Sequence, residues 1–230
     1  MPRLAPIALA ALLAAAVASR SGAQSVFRPD ASRVRGQPVP DVALIDDNGA
    51  PFRMSALAGK PLVLSPIFTR CPHACVMITT GLRDALVPIG APGEAYEVLT
   101  VTFDPADTEE DLRAYRERME LPPGWHMARG ASAQIDSLLA AIDFHTVALD
   151  EGGFAHANAV AVLAPDLTVS GFVHGLAYEE RDLRLALARA AAPESLVRRY
   201  RPLLAAVAAA AAAALVLTLI LTRRRGSSAA

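Results

Sequence analysis

Cys71 and Cys75 are the only cysteines in the 230-residue chain, and they stand in the segment Phe68-Thr-Arg-Cys-Pro-His-Ala-Cys-Val76. An apolar, strand-like run ends there and a helical pattern is about to begin. The N-terminus of a helix presents unpaired N–H groups and the positive end of the helix dipole, which favours thiolate over thiol and makes a cysteine a better nucleophile and a better ligand. Residues four apart on a helix lie roughly 5–6 Å apart on one face, close enough to oxidise to a disulfide or to share one soft metal ion. A purely structural disulfide is the competing reading, and an exported chain is allowed one. A bridge between positions 71 and 75 closes a very small loop, however, where chain-entropy stabilisation is least. The spacing therefore favours redox or metal-binding use.

Two sulfurs leave a metal undersaturated, so a further ligand must come from His73, His126, His145, His156 or His174. His156 is the choice, because it precedes an apolar run at Ala159 to Leu163, on what reads as a loop at a sheet end, where a side chain can approach the cysteine turn. His73 lies between the cysteines and could add a fourth ligand, although such intervening residues usually point to solvent. His174 is a weaker candidate, and Trp125, His126 and His145 read as ordinary loop and strand-edge residues. Two thiolates and an imidazole suit copper best, since thiolates select Cu(I) and the set also tolerates Cu(II). Structural zinc usually takes four protein ligands, and neither a second cysteine pair nor a spaced histidine pair is present. Asp104, in Asp104-Pro-Ala-Asp-Thr108, reads either as a group just behind the cysteines or as a turn residue, and Asp107 or Thr108 as a helix cap.

The elements that position these residues follow from periodicity. Strands are expected at Val42 to Ile45, Pro61 to Phe68, Tyr96 to Phe103, Ala159 to Leu163 and Thr168 to Val173. Helices are expected at Val76 to Val87, from Thr108 to near Met119 with a capping-box start, at Ser132 to Ile142 and at Glu179 to Ala190. The order is β-hairpin, β, α, β, α, short β, α, β, β, α, which implies an α/β sheet with helices on its faces.

At the N-terminus, Ile7 to Ala18 is an apolar run of signal-peptide length with small residues at two cleavage positions, so residues 1–23 read as an export signal. Residues 24–36 read as an extended lead-in, 37–192 as one domain and 193–201 as a tether. Residues 202–222 are uncharged and long enough to span ~30 Å of hydrocarbon, giving a C-terminal transmembrane helix with a cytoplasmic tail at 223–230. Arg198, Arg199 and Arg201 balance Arg223, Arg224 and Arg225, so export, not flanking charge, sets the orientation. All 23 acidic residues lie between residues 24 and 201, against 17 basic ones there, a balance of −6. Such a domain lacks the basic footprint of a nucleic-acid binder.

Together, Thr69-x-Cys71-Pro72-x-x-Cys75, Val101-Thr-Phe-Asp104-Pro105-x-Asp107-Thr108 with Leu112 and Tyr115, Gly124-Trp125, and His156 ahead of a strand ending Ala164-Pro165-Asp166 resemble the Sco/SenC family of copper-binding cytochrome c oxidase assembly proteins. The resemblance runs from about residue 37 to 190. It implies a thioredoxin-like fold with an N-terminal β-hairpin extension and a Cys71, Cys75, His156 copper site, for Cu(I), Cu(II) or both, with Asp104 nearby. It also implies a membrane-tethered role on the extracytoplasmic, periplasmic side. There the domain would deliver copper to the binuclear centre of oxidase subunit II, or reduce that subunit's cysteines as a thiol-disulfide oxidoreductase. This sequence departs from the family at Val76, where a second proline is common, and at Phe154-Ala155, where an acidic residue usually precedes the histidine. It departs also in its tether, which members commonly carry at the N-terminus.

Overall fold

The computed structural model describes residues 28–150 and 152–192, together with 203, 205–207 and 211. The chain divides into two compact units, Met1–Ala191 and Ala192–Ala230. Of the described residues of the second unit, 203, 205–207 and 211 are helical. Among the described residues no helix is long and apolar enough to cross a membrane. The expected signal (1–23), tether (193–201) and tail (223–230) lie outside the described residues, as does most of the expected span at 202–222.

In chain order the first unit comprises α1 (Ala31–Val34), β1 (Ala43–Asp46), β2 (Pro51–Arg53), a 3-10 turn (Met54–Leu57), β3 (Leu62–Ile67), α2 (Ala74–Leu86), β4 (Glu97–Thr102), α3 (Glu109–Arg118), β5 (Trp125–Arg129), α4 (Ser132–Ala141), β6 (Thr146–Ala148), β7 (Phe154–His156), β8 (Ala159–Leu163), β9 (Val169–His174) and α5 (Glu180–Ala191). Seven strands form one sheet in the order β2-β1-β5-β4-β3-β8-β9, and β6 with β7 forms a separate hairpin. The parallel trio β5-β4-β3 is flanked by antiparallel β1 and β8. Because side chains alternate across a strand, each central strand feeds two cores. Val63, Ile67, Val98, Met127, Val160 and Val162 meet α2, α3 and α5 on one face. Leu62, Leu64, Leu99, Val101, Ala128, Ala161 and Leu163 meet α4 on the other.

Pro66 has a local consequence for the site. The antiparallel ladder of β3 with β8 covers only Leu62 to Leu64. Pro66 has no N–H to extend it, so the two strands part at the sheet end where the cysteine turn begins.

Several expectations are corrected. The stretch read as an extended lead-in contains α1, capped by the Asp30 carboxylate accepting from Ser32 N–H. Trp125 is not a loop residue: it opens the interior strand β5, is buried, and donates its indole N–H to Thr100 Oγ1 at 2.9 Å. His156 is not on a loop but ends β7, whose partner β6 sits across a turn with Gly152 and Gly153 at positive φ. Both strands are three residues long, below the length at which period-2 alternation is readable. Helix α2 begins at Ala74, two residues earlier than expected.

Candidate metal centre

The strand-to-helix turn after β3 holds both cysteines. Only Cys75 lies in α2, within its first turn, and Cys71 precedes it, so the pair does not share a helical face as the spacing alone implied. Position 73 caps the helix without a side-chain hydrogen bond. Instead the Cys75 N–H points to Cys71 Sγ at 3.4 Å, making the sulfur the acceptor for an otherwise orphaned helix donor.

From the opposite side of the gap, β7 delivers His156. Its Nε2 lies 3.6 Å from Cys75 Sγ and its Nδ1 is 2.8 Å from the Ala157 carbonyl. A carbonyl can only accept, so the proton sits on Nδ1 and the Nε2 lone pair faces the sulfurs, the tautomer a metal requires. The ligand atoms of Cys71, Cys75 and His156 all lie within 4.8 Å of one another. Both thiols are free and buried. An open cleft of about 790 Å³ passes over Cys71 and His156, walled by Arg70, Asp104 and the Gly152 to His156 hairpin.

The sulfurs are electrostatically unequal. The hydrogen bond from Cys75 pulls the Cys71 thiol down to about 4 against the opposing effect of burial, with the Cys75 and His73 N–H groups adding to it. The same bond, with burial, pushes the Cys75 thiol well up. One proton therefore resides on Cys75 and the negative charge on Cys71. Two sulfurs and an imidazole lone pair converging within bonding reach fit a soft ion that tolerates low coordination.

The turn is pinned from below by the segment that follows β4. Buried Asp107 accepts from Thr69 N–H (2.9 Å), Thr69 Oγ1 (2.7 Å) and Thr102 Oγ1 (2.5 Å). Arg118 donates to the Thr69 carbonyl at 3.1 Å, and the Tyr115 hydroxyl to the Cys75 carbonyl at 3.0 Å. Asp107 is thus a clamp on the cysteine turn; the cap is Thr108, in a reciprocal box with Asp111. Asp104 lines the cleft, accepts from Ala106 N–H as a turn residue does, and ion-pairs with Arg70 at 2.5 Å. It reaches the site through that arginine.

The remaining histidines are not brought into this group. His73 is exposed on the cleft rim, His126 faces Glu97 at 3.5 Å, His145 faces Asp143 at 3.2 Å, and His174 ends β9. Asp107 and Tyr115 stand in the motif that carries the resemblance, but nothing in the sequence gives them the task of holding the cysteine turn, and Arg118 reads as an ordinary helix residue.

An open, mixed sheet with a cysteine pair at a strand-to-helix turn and a histidine from a nearby strand defines a thioredoxin-like protein with a metal or redox centre. The chain belongs to the SCO1/SenC family, which it matches over residues 32–191. It is 27% identical over 145 residues, 60% of this chain and 70% of the relative, to a protein of Stutzerimonas stutzeri named "Putative copper-binding protein". It is similar to a crystal structure of a "putative electron transfer protein" from Aquifex aeolicus VF5, at 36% identity, TM-score 0.66, covering 68% of this chain and 94% of that one. It shares its fold with BsSco, described as a member of the Sco family of cytochrome c oxidase assembly proteins, at 18% identity, TM-score 0.59, covering 66% and 92% of the two chains.

Proposed function

We propose that this protein is a membrane-tethered copper metallochaperone, binding the ion through Cys71, Cys75 and His156 and delivering it to the binuclear copper centre of cytochrome c oxidase subunit II. The observation that carries the reading is the convergence of two sulfurs and one imidazole within 4.8 Å under an open cleft. The relative's copper-binding name and the description of BsSco support the ion and the assembly context. In this reading residues 1–23 direct export, residues 202–222 cross the membrane, and the domain works on the periplasmic side. Thiolates bind Cu(I) and His156 completes the set, so handover proceeds by exchange of one ligand at a time with thiols of the acceptor.

Titrating the reduced full-length chain with Cu(I) against a competing chelator, and with Cu(II) by absorption, tests this. One-to-one binding with a thiolate-to-Cu(II) charge-transfer band is expected, abolished in Cys71→Ser/Cys75→Ser and weakened in His156→Ala. Copper binding undiminished in the double cysteine variant refutes the site.

The unequal cysteines favour a second reading, thiol-disulfide exchange. Cys71, 8% exposed and held as thiolate, would attack a target disulfide, and fully buried Cys75 would resolve the mixed disulfide. His156→Ala discriminates the two, since it impairs copper retention but leaves exchange largely intact.

A further inference from the structure

The imidazole of His156 has two polar neighbours, the Ala157 carbonyl and Cys75 Sγ. On its buried side the ring packs against phenyl rings. Phe144 lies against its face at 6.0 Å between centroids with 26° between planes, while Phe68 (6.0 Å, 89°) and Phe103 (5.6 Å, 63°) present edges. Phe154 packs behind, 5.3 Å from Phe68 and 5.4 Å from Phe103. Four of the chain's seven phenylalanines meet here, from the ends of β3 and β4, the turn after α4, and β7. At the preceding position Ala155 supplies no polar group to hold the ring.

We infer that Phe68, Phe103, Phe144 and Phe154 form an enclosure that positions His156 at the cysteine pair and thereby favours retention of Cu(II) relative to Cu(I). The inference rests on the copper reading and deepens it. Two thiolates alone satisfy Cu(I), whereas the imidazole is the ligand that suits Cu(II), so whatever fixes the ring acts mainly on Cu(II). Two thiolates and a neutral imidazole also bring a charge of −2, making the Cu(II) complex neutral and the Cu(I) complex −1. Apolar walls penalise net charge, and the neighbouring Arg70–Asp104 pair is neutral as a pair. Phe144, stacked on the imidazole, is the principal positioning residue.

The experiment is paired Cu(I) and Cu(II) competition titrations of the full-length chain as wild type, Phe144→Leu, His156→Ala and the double variant, with thermal melts to establish folding. Phe144→Leu is expected to lower Cu(II) affinity by about 10- to 100-fold and to leave Cu(I) affinity unchanged. In the His156→Ala background it is expected to add nothing, because the cage acts through the ring. Equal losses for both ions, or a Phe144→Leu effect that persists without His156, overturn the inference. A wild type that binds both ions while Phe144→Leu binds them identically overturns the cage alone. A wild type that binds neither overturns the copper reading and the cage with it. Should Phe144→Leu fail to fold, the half-buried Phe154→Leu carries the same expectation and decides it.

Discussion

The cysteine turn separates two sulfurs that are chemically identical in the unfolded chain. Cys71 accepts from the Cys75 N–H at the start of α2 and faces the cleft, while Cys75 sits beneath it with the proton. A depressed thiol is ionised above its folded value, so Cys71 stays thiolate from neutral pH down to about 4 and becomes thiol below that. Alkylation by iodoacetamide, followed by mass spectrometry in apo protein, is expected at Cys71 with a rate nearly constant from pH 5 to 8. Cys75 is expected to be spared. A Cys71 rate that climbs through pH 8–9, as for an ordinary thiol, contradicts the assignment. Just below, Asp107 presents its carboxylate to three donors in a fully buried setting. Asp107→Asn removes the buried charge to which these three hydrogen bonds are made and one of its two acceptor oxygens, so a loss of about 2 kcal/mol is expected, measured by urea unfolding with an unchanged m-value. A loss confined to a few tenths would mean the turn is not held by this carboxylate.

At the scale of elements, the segment from Asp104 to Arg118 acts as a cradle: its loop grips Thr69, and α3 reaches the carbonyls of Thr69 and Cys75. Tyr115→Phe removes the hydroxyl shared between the Cys75 carbonyl and Thr79. A loss of about 1 kcal/mol is expected, with faster hydrogen exchange in the first turns of α2. The entry to β5 is stricter. Gly124 has φ 81°, and a Cβ there would lie 2.3 Å from the Pro92 carbonyl oxygen. Gly124→Ala is therefore expected to cost about 2 kcal/mol or more, combining left-handed strain with a backbone clash, and to lower the melting temperature.

The strongly periodic elements were legible in sequence. Strands β3, β4, β8 and β9 and helices α2 to α5 fall within a few residues of their expected positions, because each buries a face whose spacing is visible along the chain. The β6–β7 hairpin was not, since it is held by its turn and by Phe154 packing on Phe68 and Phe103, a tertiary contact without local pattern. Likewise Cys71, Cys75 and His156 were identifiable by type and motif. The four-phenyl enclosure was invisible because its members stand at four unrelated places in the chain.

For the whole molecule, the centre joins parts that the sheet leaves apart. Cys71 and Cys75 follow β3, His156 precedes β8, and the ladder between those strands stops at Leu64, so within the described residues the protein chain bridges the gap there through side chains. An ion bound by all three donors would tie the two sides and would bind the folded state alone. Mass action then gives about 2.7 kcal/mol of added stability at a free ion concentration 100 times the dissociation constant. For a domain of this size that corresponds to a rise of about 5–10 °C in melting temperature. Calorimetry of the full-length chain with Cu(II) is expected to show that rise in wild type, a smaller one in His156→Ala, and none in Cys71→Ser/Cys75→Ser. An equal rise in the cysteine double variant would place the stabilising ion elsewhere. An equal rise in wild type and His156→Ala would mean that Cu(II) is held by the sulfurs on one side only and does not bridge the gap. With Cu(I), which two thiolates satisfy, the same scan is expected to show nearly equal rises in wild type and His156→Ala.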